Sequence, residues 1–333
     1  KEKTEKAPAL YDLTTLQRDA NRLLGYTAQQ TLDYVQSLYE KKLCTYPRTD
    51  SRYLTDDMTD SVKAIVACSV GICEEPYPSA VLSRQICNSK KVSDHHAIIP
   101  TLVAGETDIT ALPAGEREIM KLIAKQVLRA VCDSFRFHET VAVFSCGGYP
   151  FTAKGKVVEN LGWKMYSEKE QADKVLPELK DGDELKASSF AVKEGMTKPP
   201  VHFTEDSLLS AMEVAGAKEM PEDAERKGLG TPATRAGIIE KLIATGFVER
   251  KKARKSVNLV PANTGVSLIT VLPEQLQSPL LTAEWEHKLK MVEHGELDAN
   301  AFMAEISLMV SELVRTYSVI KGAEILFPSG RDV

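Results

Sequence analysis

The chain has 333 residues and a formal net charge of −5, with 43% hydrophobic and 27% charged residues. These values are typical of a globular protein of two or three domains. No apolar run is long enough to cross a bilayer and no signal peptide opens the chain, so we expect a cytoplasmic protein without a membrane partner. An acidic balance argues against nucleic-acid binding over the whole surface, but not against binding at local basic patches. Because the chain begins with Lys1 rather than Met, we expect it to be part of a longer protein.

Residues 13–136 have the pattern of a mostly helical domain. Thr27–Gln30 is a capping-box sequence, and it predicts a helix that ends near Lys41 and Lys42. A second helix is predicted over Ala114–Cys132. The apolar residues at helical spacing are Leu32, Val35, Leu38 and Tyr39 in the first helix and Ile119, Ile123, Val127 and Val131 in the second, and we expect them to form core.

The segment after the first helix, Thr45–Leu54, places a phenol and a guanidinium two positions apart, at Tyr46 and Arg48. Arginine meets two phosphate oxygens at once, and Pro47 stiffens the segment between the two side chains. A tyrosine can attack a phosphodiester if its proton is removed and the phosphate is held. On spacing alone, a surface turn is the commoner interpretation.

The six cysteines include no C-x-x-C pair, which argues against a zinc ribbon. Without a secretory signal, reduced thiols are expected. Cys44, two residues before Tyr46, is expected to be a small core residue rather than a redox centre.

Residues 137–200 change to a β pattern and predict a small β-rich element. The predicted strands are Thr140–Phe144, Phe151–Val158 and Glu184–Val192, and the predicted turns are Gly147–Pro150 and Asp181–Asp183.

Residues 201–333 return to a helical pattern. Thr204 is a predicted N-cap, and Pro232 suits the first turn of the next helix. Two strands then flank the basic run Lys251–Lys255, which is the outline of a winged helix.

Two groups in this last region are candidates for DNA contact. Gly228 and Gly230 allow a close approach of the backbone, and the helix start that follows favours a phosphate. The candidate side chains are Thr231, Thr234 and Arg235 at that helix start and Lys251, Lys252, Arg254 and Lys255 in the hairpin. A basic run in a hairpin is also a common device for keeping a sheet edge soluble, so both interpretations of the hairpin stay open.

Several of these strings together resemble the type IA DNA topoisomerases, most closely their topoisomerase III branch. Order and spacing agree from about Tyr11 to about Glu296. The matching motifs are Thr45–Leu54, Asp94–Thr101, Lys198–Leu209, Gly228–Arg235 and Leu281–Glu286.

The resemblance implies a function and a set of roles. Tyr46 would be the nucleophile that forms a 5′-phosphotyrosine on single-stranded DNA, Arg48 the phosphate anchor, and His95 a residue near the scissile phosphate, with His96 as support. Strand passage and rejoining would follow without ATP, and in agreement no P-loop string occurs. The implied fold is α+β and multidomain, with residues 1–12 as the end of a β-rich hinge segment, 13–136 as the nucleophile domain, 137–200 as the hinge and 201–333 as a helical, winged-helix-like DNA-binding domain.

The resemblance also implies Mg²⁺, bound by an acidic N-terminal domain whose ligands are not in this chain. The lone Asp-x-Asp, Asp181–Asp183, has the context of a solvated turn, so no metal ligand is assigned here. We therefore expect this chain to bind single-stranded DNA, to need the missing metal-binding domain as its partner, and to be unable to cleave alone.

Two other functions compete. A non-enzymatic winged-helix module would explain residues 203–260 but leave Tyr46, Arg48 and His95 without a role. A tyrosine recombinase or type IB topoisomerase also uses a phosphotyrosine, but those enzymes surround the tyrosine with several basic residues of one domain, which fits this pattern less well.

Overall fold

The structure is a computed structural model that describes residues 1–167, 173–186, 189–220 and 228–317. None of the helices in those ranges is long and apolar enough to span a membrane. The helices are α1 (Leu13–Leu24), α2 (Ala28–Glu40), α3 (Val62–Cys73), α4 (Leu102–Glu106), α5 (Ala114–Ala130), α6 (Glu205–Val214), α7 (Pro232–Ala244), α8 (Asn263–Val271), α9 (Glu274–Gln277), α10 (Leu280–Glu293) and α11 (Ala299–Tyr317). The strands are β1 (Glu2–Glu5), β2 (Phe135–Cys146), β3 (Tyr149–Asn160), β4 (Val248–Lys252) and β5 (Val257–Pro261).

The chain divides into two compact units. The first unit comprises Lys1–Asp12 and Tyr34–Val201, and the second comprises Leu13–Asp33 and His202–Val333. Residues 13–33 therefore group with the C-terminal part of the chain, whereas the sequence had placed them with the nucleophile. The reason is tertiary packing: Ala28 lies in the same hydrophobic cluster as Leu209 of α6.

The first unit is built on the packing of α3 against α5. Val62, Ile65 and Val66 of α3 are buried in one cluster with Val127 and Leu128 of α5. Helix α5 begins and ends within two residues of its predicted bounds, because its apolar residues recur at helical spacing along a single face. The helix predicted after Thr27 is also confirmed: Gln30 N donates to Thr27 Oγ1 at 3.0 Å, and Thr27 N donates to Gln30 Oε1 at 2.9 Å.

A three-stranded antiparallel sheet of order β1-β2-β3 belongs to the first unit. The tight hairpin between β2 and β3 pairs Cys146 with Tyr149, so its turn is Gly147–Gly148. Both glycines have positive φ, 59° and 82°, which the two-residue hairpin turn requires. Tyr149 and Pro150 lie in β3 rather than in the turn predicted from the sequence.

The predicted strand over Glu184–Val192 is wrong for the part that the structure describes. Residues 183–186 and 189–192 have no strand assignment there, and residues 187 and 188 lie outside the described residues. Val192 is 93% exposed and Phe190 69% exposed, so this apolar pattern is largely left in solvent. A β-strand forms only where another strand can pair with it, and a β-favouring composition does not ensure that such a partner is present.

The second unit has a core between α6, α7 and the β4–β5 hairpin. Leu209 and Met212 of α6 pack with Ala236 and Ile239 of α7 and with Leu259 of β5. This arrangement of two helices followed by a β-hairpin is the predicted winged-helix outline, and the predicted α+β multidomain class is confirmed.

Candidate active site and DNA-contact residues

Backbone hydrogen bonds in the first unit join the segment that carries Tyr46 to the segment that carries His95. Both segments are irregular, and they run antiparallel beside each other, with an isolated bridge between Cys44 and Pro100. The sequence placed the two motifs about fifty residues apart, and the fold brings them side by side. The bonds are Thr101 N to Leu43 O at 2.9 Å, Thr45 N to Ile99 O at 3.0 Å and Ala97 N to Tyr53 O at 2.9 Å.

The side chain of Thr45, immediately before Tyr46, strengthens this pairing. Its hydroxyl donates to Ala97 O at 3.0 Å and accepts from Ile99 N at 3.0 Å. The donor and acceptor capacity of one hydroxyl therefore serves two backbone groups of the opposite segment. The backbone next to Tyr46 is fixed on the side that faces the His95 segment.

Thr49, which follows Tyr46 in the sequence, also joins the two segments through its hydroxyl. It is 3% exposed, and its hydroxyl donates to His95 O at 2.8 Å and accepts from Ser51 N at 3.0 Å. The position of His95 is thus tied directly to the segment that contains Tyr46 and Arg48.

Tyr46 is half-buried, and its ring contacts His95. The two ring centroids lie 4.3 Å apart with an interplanar angle of 44°. His95 itself is exposed, so the pair lies at the surface rather than in the core. The neighbouring His96 is half-buried and its Nδ1 lies 2.9 Å from Ala97 O, a structural contact that fits the supporting role expected of it.

Arg48 is exposed next to the buried Pro47. Within the described part of the chain, no hydrogen bond or ion pair engages its guanidinium. An exposed guanidinium with uncommitted donors is the group best suited to bind an anionic phosphate. The structure therefore brings Tyr46 and His95 into contact and leaves Arg48 two residues away and accessible.

Cys44 has the structural role expected from the sequence. It is 1% exposed, its Sγ lies 3.6 Å from Val35 O, and it is a free thiol. Burial raises the pKa of this thiol to about 12, which keeps it protonated and unreactive at neutral pH.

Sequence reasoning misplaced Tyr39. Its spacing in α2 indicated a core residue, yet the side chain is 39% exposed. Its ring meets the Tyr46 ring in a T-shaped pair, with centroids 5.4 Å apart and an interplanar angle of 78°. The signal available in the sequence was its position, seven residues before Tyr46 at the end of a helix.

Thr231 and Thr234 form a capping box at the start of α7 in the second unit. Thr231 N donates to Thr234 Oγ1 at 2.8 Å, and the two hydroxyls lie 3.1 Å apart. Thr234 is exposed and Thr231 half-buried, so both lie at a helix N-terminus near solvent. Their hydroxyls, however, already form hydrogen bonds within the capping box.

Arg235 does not lie where the sequence had placed it. The side chain is 2% exposed, and its guanidinium donates to Leu229 O at 3.1 Å, to Thr14 Oγ1 at 2.9 Å and to Gly230 O at 3.2 Å. A buried guanidinium whose donors are used inside the second unit is not available to a phosphate. Arg235 instead fixes the loop that leads into α7.

Packing within the second unit explains why residue 228 is a glycine. Its φ is +78°, and a Cβ at this position would lie 2.2 Å from Met212 O and 2.5 Å from Glu213 O. Leu229 N also donates to Met212 O at 2.7 Å. The close approach that this glycine permits is therefore to the end of α6, rather than to the DNA backbone as the sequence suggested.

The basic hairpin is exposed as predicted. Lys251 and Lys252 end β4, and Arg254 and Lys255 lie in the connection to β5. Lys251 Nζ is 3.2 Å from a carboxylate oxygen of Glu249, which is a weak, solvent-screened pair.

Across the part of the chain that the structure describes, no group of three or more His, Cys, Asp or Glu side chains is arranged to hold a metal ion. The Asp181–Asp183 pair lies in a turn, where Asp183 Oδ2 accepts from Lys180 N at 2.8 Å. The residues described here do not fit a Mg²⁺ site.

A family model described as DNA topoisomerase matches residues 1–304. The chain belongs to the DNA topoisomerase family. It is 40% identical to the DNA topoisomerase 3 of Bacillus licheniformis over 333 residues, covering 93% of this chain and 45% of that relative. It is also 40% identical to the DNA topoisomerase 3 of Bacillus subtilis (strain 168) over 334 residues, with the same coverage. The chain therefore spans a little under half the length of the curated topoisomerases that it matches.

The fold is similar to that of a solved topoisomerase as well. Full-length topoisomerase I from Thermotoga maritima matches with a TM-score of 0.68 and 24% identity, over 94% of this chain and 50% of that one. The predicted resemblance to type IA DNA topoisomerases of the topoisomerase III branch is confirmed.

Proposed function

We propose that this chain supplies the nucleophile and part of the DNA grip of a type IA topoisomerase that breaks, passes and rejoins single-stranded DNA. The observation that carries the proposal is the contact of Tyr46 with His95, with Arg48 exposed two positions further along the same segment. A phenol, an imidazole and a guanidinium are side chains suited to phosphoryl transfer to tyrosine.

The proposed reaction is a transesterification. The Tyr46 oxygen bonds to phosphorus as the bond from phosphorus to the sugar 3′ oxygen breaks, which leaves the 5′ phosphate on the tyrosine. The phenol gives up its proton, and the leaving 3′ oxygen takes one up. In this proposal Arg48 binds the phosphoryl oxygens, and His95, whose exposed ring contacts Tyr46, donates to them. Rejoining is the reverse, so no nucleotide is consumed.

Mg²⁺ belongs to this proposal only through the resemblance, because the described residues do not form a site for it. If the metal ligands lie in a part of the protein outside this chain, the chain with Mg²⁺ and a single-stranded oligonucleotide binds DNA but forms no covalent adduct. An adduct trapped on Tyr46 with this chain alone would show that cleavage does not need metal ligands from outside the chain.

The sharpest test of the proposed function uses a chimera in which this chain replaces the matching segment of the Bacillus licheniformis relative. The substrate is a single-stranded oligonucleotide labelled at its 3′ end, because a 5′-phosphotyrosyl bond retains the downstream fragment. We expect a labelled covalent adduct with the chimera and none with its Tyr46→Phe variant, while both bind the oligonucleotide equally.

The matched control is Tyr77→Phe, which removes a different, half-exposed phenol of the same unit. It should retain the adduct. An adduct that persists in Tyr46→Phe would assign the nucleophile to another residue. DNA binding without any adduct in the chimera itself would favour a non-enzymatic winged-helix module instead.

A further inference from the structure

We propose that Tyr39 is a positioning residue for the nucleophile: it orients the Tyr46 ring for attack through their T-shaped contact. The inference rests on the proposed function and adds a residue to it. The two ring centroids are 5.4 Å apart at an interplanar angle of 78°, within the range in which aromatic rings prefer an edge-to-face arrangement.

Tyr39 is held firmly enough to serve as a fixed reference. It lies in the last turn of α2, directly after Leu38, which is 0% exposed. Two residues earlier, the Ser37 hydroxyl donates to Glu116 Oε1 of α5 at 2.9 Å. The end of α2 is therefore fastened both to the core and to a neighbouring helix.

The turn between the two phenols is also fixed. Lys42 N donates to Tyr39 O at 2.8 Å, and Leu43 N donates to Leu38 O at 2.9 Å. Lys42 has a φ of 62°, a left-handed conformation that reverses the chain after the helix. The backbone path from Tyr39 to Tyr46 is short and hydrogen-bonded, so the ring contact follows from the local fold.

Packing demand does not explain the aromatic side chain at this position. Tyr39 is 39% exposed, whereas its α2 neighbours Val35 and Leu38 are fully buried. The half-exposed Tyr39 ring lies against the half-buried Tyr46 ring and limits how far the Tyr46 side chain can rotate. Tyr46 then has ring contacts with both Tyr39 and His95, and its oxygen keeps one direction toward a bound phosphate. Holding a reacting atom in its attack geometry is a recognised source of rate.

The test uses the chimera and compares Tyr39→Phe with Tyr39→Leu. The Phe variant keeps the ring, so we expect adduct formation in a single turnover at the parent rate. The Leu variant removes the ring, and we expect about a tenfold slower adduct formation, the upper range for one aromatic pair. The dissociation constant for the oligonucleotide should stay unchanged, because a positioning residue affects the chemical step. Tyr77→Leu, a half-exposed phenol of the same unit, is the matched control and should react at the parent rate.

A second readout does not depend on catalysis. In this chain, with ring-labelled tyrosine, the NMR signals of the Tyr46 ring should shift in Tyr39→Leu beyond any shift in Tyr39→Phe. Parent-rate adduct formation by Tyr39→Leu overturns the inference and leaves the proposed function standing. Equal loss in the Phe and Leu variants also overturns it, since the hydroxyl rather than the ring would then matter. Failure of the unmodified chimera to form any adduct would overturn both.

Discussion

The Thr49 hydroxyl donates to the main-chain carbonyl of His95 at 2.8 Å, and this bond ties the segment of Tyr46 to the residue whose ring contacts the Tyr46 ring. The two residues are 46 positions apart. A buried hydroxyl that serves a donor and an acceptor at once is a strong point of attachment, because losing it leaves both partners unpaired.

Thr49→Val should therefore lower the free energy of unfolding of the first unit by about 1–3 kcal/mol, the cost of leaving buried polar groups unsatisfied. The measurement is urea unfolding by tryptophan fluorescence in a Trp285→Phe background, where Trp163 of the first unit is the remaining tryptophan. Thr49→Ser keeps the hydroxyl and should cost less. Equal stability of Thr49→Val and the parent would mean that the bond contributes nothing.

Arg48→Lys keeps the charge but removes the bidentate fork. In the chimera we expect slower adduct formation by about ten- to a hundredfold, the fold-change of one charge-assisted hydrogen bond worth about 1.5–3 kcal/mol. Arg84→Lys, at another exposed arginine of the first unit, is the matched control. A parent rate for Arg48→Lys would show that Arg48 acts as a point charge or not at all.

Replacing Lys251, Lys252, Arg254 and Lys255 together by Gln should weaken single-stranded DNA binding and flatten its salt dependence. If all four contact phosphates, the slope of log K against log salt falls by up to about 3, since each contact on a single strand contributes about 0.7. The control replaces four exposed lysines of the first unit: Lys63, Lys121, Lys180 and Lys186. An unchanged slope would remove the hairpin from the interface.

Gly228→Ala should destabilise the second unit more than Gly246→Ala does. Both glycines have positive φ, +78° and +73°, so both variants pay the strain of a left-handed alanine, about 1–2 kcal/mol. Only Gly228 has backbone oxygens within 2.5 Å of the added Cβ, whereas nothing lies within 4 Å at Gly246. Urea unfolding followed by Trp285 in a Trp163→Phe background measures both. Equal losses would show that the α6 end moves aside without cost.

The buried Cys44 thiol predicts a pH dependence of stability. Its pKa is raised from 9.0 to about 12 by burial, so above pH 9 the unfolded chain releases a proton that the folded chain keeps. The stability that this group contributes is complete below pH 9 and is lost as pH rises toward 12. Between pH 9.5 and 10.5, the difference in unfolding free energy between the parent and Cys44→Ala should shrink by about 1.4 kcal/mol per pH unit. A constant difference would contradict a buried neutral thiol.

The features that the sequence predicted correctly have local causes. The capping box at Thr27 and the helical face of α5 depend on neighbouring residues, and the structure has both. The turn predicted over Gly147–Pro150 is present, but it is limited to the two glycines. The proximity of Tyr46 and His95 came only through the resemblance to a family, since no spacing rule joins segments about fifty residues apart.

Two of the errors concern burial, which depends on distant parts of the chain. Arg235 was expected at the surface, but Thr14, 221 positions away, accepts one of its hydrogen bonds. Tyr39 was expected in the core, but it is half-exposed against another ring. A charged or aromatic side chain has the same local pattern in either place, so only the tertiary fold decides between them.

The antiparallel pairing of the Tyr46 and His95 segments has a mechanical consequence. If a severed DNA end is attached to Tyr46, any tension on that end is shared across the bonds of Thr45 to Ala97 and Thr49 to His95 instead of loading one flexible loop. Such an attachment point would move little under load, which would keep the broken end in place during the strand passage that we propose.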